Sequence, residues 1–89
     1  MLFMVIETYG DDPKAIYRRL RERGRLMPDG LEYVDSWIAA DFTRCFLLMR
    51  GDDVTLLQRW VAEWRDLTAF EIVPVAPSKE TAAAVGGPP

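Results

Sequence analysis

The sequence contains no histidine. That removes the commonest general base near neutral pH, the usual zinc ligand and the usual axial ligand of haem. A single cysteine, Cys45, excludes an internal disulfide and fits a reducing compartment. Long apolar runs are missing too. The opening Met1–Ile6 stretch meets Glu7 at once, has no basic segment ahead of it, and is too short for a secretory signal or a membrane span. No phosphate-binding glycine loop, zinc knuckle or catalytic triad can be found, so neither a metal nor another cofactor is expected. A formal net charge of −3 argues against a general nucleic-acid binder, whose affinity rests on neutralising phosphates. These absences point to a cytoplasmic protein with neither nucleic acid nor membrane among its partners.

What is present is apolar surface. The 89 residues are 49% hydrophobic and include Trp37, Trp60 and Trp64. A chain of this length makes one domain. Such a domain buries only roughly 60% of the surface its unfolded form exposes. The composition therefore suggests more apolar surface than one copy can hide, and a second copy of the same chain is the expected partner.

Residues 2–9 are rich in strand formers and end at Gly10-Asp11-Asp12-Pro13, where aspartate followed by proline opens a helix. Ile16, Tyr17 and Leu20 recur at helical spacing until Gly24 offers a left-handed stop. Met27–Gly30 reads as a loop. Strands are expected at about 31–39 and 42–50, joined by a tight turn near Ala40-Asp41. Gly51-Asp52-Asp53 opens a second helix with Leu57, Trp60, Val61 and Trp64 on one face, and a last strand covers about 68–75. The order βαββαβ is that of the α+β, ferredoxin-like fold, a four-stranded antiparallel sheet with both helices on one face. Residues 1–76 form this domain. Residues 77–89, low in complexity and without apolar periodicity, are expected as a flexible tail.

Strand side chains alternate between faces. One set, Leu2, Met4, Ile6, Val34, Ile38, Cys45, Leu47, Met49, Phe70 and Ile72, is apolar and is expected beneath the helices. The other set mixes large apolar groups with charges: Phe3, Val5, Glu7, Tyr9, Leu31, Tyr33, Asp35, Trp37, Arg44, Phe46, Leu48, Glu71, Val73 and Val75. That is a poor water-facing surface for a monomer. Closing it against a second copy by a two-fold contact makes a dimeric α+β barrel with an enclosed interior.

Several segments carry a family likeness: Met1–Glu7, Glu22-Arg23-Gly24-Arg25, Gly30–Trp37, Phe42–Phe46, Trp60…Trp64…Asp66 and Glu71…Pro74-Val75. Over residues 1–75 the chain resembles a family of short bacterial proteins catalogued as a domain of unknown function, which is similar to dimeric α+β barrel proteins. Proteins of that architecture include cofactor-free monooxygenases, haem-degrading proteins, lactone isomerases and polyketide-type cyclases. Their activities come to this chain only as fold-level analogy, and the lack of histidine speaks against the haem-binding branch.

Glu7, Asp35 and Glu71 are the acids expected on the dimer-facing surface. Desolvation there would raise a carboxyl pKa toward neutrality and suit it to general acid–base work. The plainer alternative is pairing with Arg44 or capping of the rim. Arg44 interrupts an apolar strand, and its guanidinium suits bidentate binding of a carboxylate or enolate; a structural ion pair is the competing account. Tyr33 and Trp37 flank Asp35 on one strand face and, with Phe46, could line the wall around a flat ligand, or simply form interface core. Trp60, Trp64 and Cys45 read as core. Lys14, Arg18, Arg19, Arg21, Arg23 and Arg25 hold more than half of the eleven basic residues; they could contact phosphate or an acidic partner, and a solvated helix face is the usual explanation of such a run. Two functions follow: a dimeric barrel binding a small, flat, anionic molecule with possible cofactor-independent acid–base chemistry, or a non-catalytic interaction module. Whether the protein is an enzyme stays open.

Overall fold

The chain follows the expected alternation of strand and helix. In the computed structural model, described over residues 1–86, β1 (Leu2–Tyr9) leads to α1 (Pro13–Arg23), β2 (Glu32–Ile38), β3 (Arg44–Arg50), α2 (Val54–Ala62), β4 (Thr68–Val75) and α3 (Ser78–Val85). Pro13 opens α1, where its missing N–H costs nothing. Gly24 ends the helix at φ 69°, its N–H bonded to the Leu20 carbonyl at 2.9 Å. Asp53 caps α2, accepting from the Thr55 N–H at 2.9 Å and the Thr55 hydroxyl at 2.8 Å. The β2–β3 turn is held by Asp41, which accepts from the Thr43 N–H at 3.0 Å and its hydroxyl at 2.6 Å.

The strands lie in the order β2-β3-β1-β4, and every neighbouring pair is antiparallel. With α1 and α2 on one face, this is the ferredoxin-like α+β fold. The core between them is Phe3, Val5, Ile16, Leu31, Cys45, Leu47, Met49, Leu57, Trp60 and Trp64. Trp60 meets Phe70 edge to face, with ring centres 5.3 Å apart.

The face expected for β1 is reversed. Phe3 pairs with Met49, Val5 with Leu47 and Glu7 with Cys45. All six side chains are buried under the helices, whereas Leu2, Met4 and Ile6 lie half-buried on the other face. The physical reason is that β1 is a central strand, apolar on both faces, so alternation carries no inside-outside signal. Pairing with β3, whose Cys45, Leu47 and Met49 do point inward as expected, sets its face instead. In β2 the register shifts between Tyr33 and Asp35. This bulge turns Tyr33 under the helices, opposite Met49, while Asp35 and Trp37 stay on the open face opposite Leu48 and Phe46. Val34, expected inside, is exposed, and Leu31, expected on the open face, is core.

Beyond Pro77 the segment expected as a tail carries α3, none of whose residues is buried. The Thr-Ala-Ala-Ala run has high helix propensity without an apolar stripe, so it forms a helix that periodicity does not reveal. Gly86 ends it in the left-handed region, and 87–89, the end of the expected tail, lie outside the described residues.

Candidate functional site

Between the sheet and the two helices lies a cavity of about 200 Å³. β1 contributes Glu7 and Tyr9, α1 contributes Ile16, Tyr17 and Leu20, β2 contributes Tyr33, Ser36 and Ile38, and β3 contributes Cys45, Leu47 and Met49. Trp60 and Trp64 of α2 close one side, and Arg25 and Met27 cross as part of the α1–β2 connection.

The segment at Arg25 is held by an unusual device. Trp60 and Trp64, four apart and so on one side of α2, both donate their indole N–H to the Arg25 carbonyl, at 3.0 and 2.9 Å. The next residue, Leu26, sits at φ 60°, a left-handed conformation costing a branched residue about 1–2 kcal/mol. Two hydrogen bonds of about 1 kcal/mol each offset that cost. Thus anchored, the strap lays the Arg25 guanidinium 3.7 Å over the centre of the Tyr33 ring. The Tyr33 hydroxyl in turn pairs with the Ser36 hydroxyl at 2.6 Å. Arg19 closes the outer side, gripping Asp66 through two bonds of 2.8 and 2.7 Å and the Glu63 carbonyl at 2.8 Å. Its guanidinium lies 5.5 Å from the Trp64 ring centre.

Glu7 is 8% exposed. Burial pushes its carboxyl up to about 7, against the opposing pull of the Arg25 charge. No side-chain hydrogen bond of the described residues engages that carboxyl, yet none of their buried side-chain polar atoms is sealed off without a partner. Its oxygens therefore open onto the cavity. Burial also raises the Tyr9 phenol, reinforced by the Tyr17 hydroxyl, and raises the Cys45 thiol, reinforced by the Glu7 charge. Cys45 thus stays a thiol, poorly suited to nucleophilic attack, and Glu7 is the group poised to move a proton near neutrality.

The seven residues expected at one site are divided between the two sides of the sheet. Glu7 and Tyr33 face the cavity. Asp35, Trp37, Arg44, Phe46 and Glu71 lie on the open face. There Arg44 sits 5.2 Å from the Phe46 ring centre, and no ion pair of the described residues uses Arg44, Asp35 or Glu71. The division follows from the reversed β1 and the β2 bulge.

Tyr9, Tyr17 and Ser36 are not candidates for chemistry in the sequence, and Arg25 is one only as a member of the basic run. Arg25 is hidden there in a basic run that otherwise reads as solvated surface. One signal does point to it: two buried tryptophans on one helix face need acceptors for their N–H groups, and the segment after Gly24 is the longest connection among the described elements. Among the described residues no group of three or more cysteine or carboxylate side chains could hold a metal ion, and no helix is long and apolar enough to cross a membrane.

An antiparallel βαββαβ sheet with a carboxyl-bearing cavity beneath its helices defines the class: a small α+β protein of ferredoxin-like fold. A family model described as Domain of unknown function (DUF3303) matches residues 1–87, and the chain belongs to that family. The match takes in α3 as well as the domain before it. No curated protein and no solved structure matches the chain.

Proposed function

We propose that each copy of this protein binds a small, flat, acidic molecule in the cavity between sheet and helices and exchanges a proton with it through Glu7. The observation that carries the reading is Glu7 itself, a buried carboxyl pushed up to about 7 that opens onto a cavity instead of being consumed by a protein partner. Proton removal from a hydroxyl, or from carbon beside a carbonyl, is the opening step of cofactor-independent isomerisation, cyclisation and oxygenation, and the site suits chemistry of that kind. Aromatic rings from Tyr9, Tyr17, Tyr33, Trp60 and Trp64 favour a flat occupant.

The open sheet face belongs to the same proposal as the contact between two copies. Leu2, Met4, Ile6, Phe46 and Leu48 are only half-buried there, and Trp37 and Val73 are exposed. Arg44 shares that surface with Asp35 and Glu71, so a two-fold contact can set the arginine of one copy against the acids of the other. The result is a homodimer closed sheet to sheet, a dimeric α+β barrel. A second reading, a non-catalytic interaction module, takes support from the same unpaired charges on an apolar face.

Native mass spectrometry of the freshly purified protein tests these readings together. A dimer carrying a small-molecule mass, absent from Cys45→Phe in which a ring fills the cavity, is the expected result. A dimer that never retains or binds a small molecule favours the interaction module. A monomer overturns the barrel.

A further inference from the structure

We propose that the cavity takes a single-ring hydroxyl acid, a phenol or an enol, that enters neutral and passes its proton to the Glu7 carboxylate, leaving an oxyanion facing the Arg25 guanidinium. The inference rests on reading the cavity as a binding site, and it narrows what can enter.

Charge decides the first point. Among the described residues, Glu7 and Arg25 are the only charged side chains lining the cavity, and they are of opposite sign. An occupant that arrives as an anion puts a second negative charge beside the buried Glu7 carboxylate, with one arginine on the lining, so Glu7 must first take a proton from water. A neutral acid avoids this. Its O–H bond breaks, the proton moves to a Glu7 oxygen, the electron pair stays on the ligand oxygen, and total charge is unchanged. The remaining titratable groups around Glu7 are Tyr9 on its own strand, Tyr17 from α1, Tyr33 from β2 and Cys45 from β3; α2 and β4 present only Trp60, Trp64 and Phe70. Burial pushes the Tyr9 phenol and the Cys45 thiol, the two nearest to Glu7, upward and keeps them neutral while Glu7 titrates. The proton has no competing acceptor in the cavity.

Volume decides the second. An apolar cavity of about 150 Å³ accepts benzene, and sites for drug-sized ligands begin at about 300 Å³. The present 200 Å³ therefore suits one substituted ring and not a fused system.

The test uses meta-nitrophenol, colourless while protonated and yellow once ionised, with meta-nitroanisole, which has no proton to give, and meta-nitrobenzoate, which arrives charged. Slightly above neutral pH, meta-nitrophenol should turn yellow on binding and bind more tightly than meta-nitroanisole. As pH rises from about 7 toward the phenol's own pKa, its affinity should stay level, because no net proton is taken up. That of meta-nitrobenzoate should fall about tenfold per pH unit, because each binding event then captures one proton. Glu7→Gln, isosteric with the protonated side chain, should lose the yellow band; the wild-type pH profiles test the inference even if that variant does not fold. Binding of meta-nitrophenol in its colourless form, or no more tightly than meta-nitroanisole, overturns the neutral-acid inference and leaves the cavity as a site. Level, tight binding of meta-nitrobenzoate does the same. Failure of all three probes to bind overturns the inference together with the cavity reading.

Discussion

The two faces of the β-sheet carry similar side chains and have different fates. Phe3, Val5 and Met49 on one side are sealed by α1 and α2; Met4, Ile6 and Leu48 on the other are only half-buried. The charges differ in setting as well. Glu7, on the covered face, is drawn up to about 7 by burial, whereas Arg44, Asp35 and Glu71 meet solvent. Hydrophobicity alone does not tell the faces apart. Coverage does, and coverage raises the pKa of a carboxyl on one side and leaves large apolar groups half-exposed on the other.

Neighbouring substitutions break the comparison most sharply. Val5, with no exposed surface, and Ile6 differ by one position and one face. Val5→Asp buries an unpaired charge at a cost of about 3–5 kcal/mol, a large share of the total stability of about 5–13 kcal/mol for a chain this size, and should lower the thermal midpoint by about 12–40 °C. Ile6→Asp should keep the melt within a few degrees while sedimentation shifts from dimer to monomer. The opposite pattern would mean that the faces are exchanged.

Glu7→Gln comes next. The Glu7 carboxyl holds its proton up to about 7 when folded, against 4.5 ordinarily. The folded state therefore binds the extra proton between those values. Its stabilising share is complete below 4.5, is lost as pH rises toward 7, and stays lost above. The gap corresponds to about 3 kcal/mol. Urea denaturation should find Glu7→Gln more stable than the native protein by up to that amount above pH 7 and no different below pH 4.5. Equal curves at all pH values would show Glu7 to be an ordinary surface-like acid.

A smaller effect is expected at the strap. Trp64→Phe removes one of the two bonds to the Arg25 carbonyl, costing about 1 kcal/mol beyond the lost ring volume. Amide exchange at Leu26 and Met27 should accelerate, and exchange no faster than in the native protein would remove the anchoring role. Smallest is Arg44→Met, expected to change stability by no more than about 0.5 kcal/mol and to leave meta-nitrophenol binding intact. Loss of that binding would move the ligand site to the open face, where strand alternation first suggests it.

Much of the fold is legible in the sequence because its signals are local. Pro13 after Asp12, Gly24, the Asp53 cap and the Trp60–Trp64 spacing each act within a turn of helix, and the four strands lie near their expected bounds. The site is less legible because it depends on register. Glu7 is a candidate on chemistry alone, but its apolar neighbours on both sides hide which way it points. Tyr33 changes sides through a bulge that alternation does not reveal. Arg25 becomes a candidate only because its carbonyl is claimed by two indoles 35 and 39 residues further along the chain.

By itself the sequence determined the order of elements, the absence of histidine chemistry, and a high apolar content for so short a chain, since each follows from composition or from contacts a few residues apart. Only the tertiary structure decided which face of β1 is covered, that Glu7 and Arg25 meet across one cavity, and that Arg44 stands outside it. Those outcomes depend on pairing between distant strands, where a shift of one residue exchanges inside for outside at no cost in local propensity.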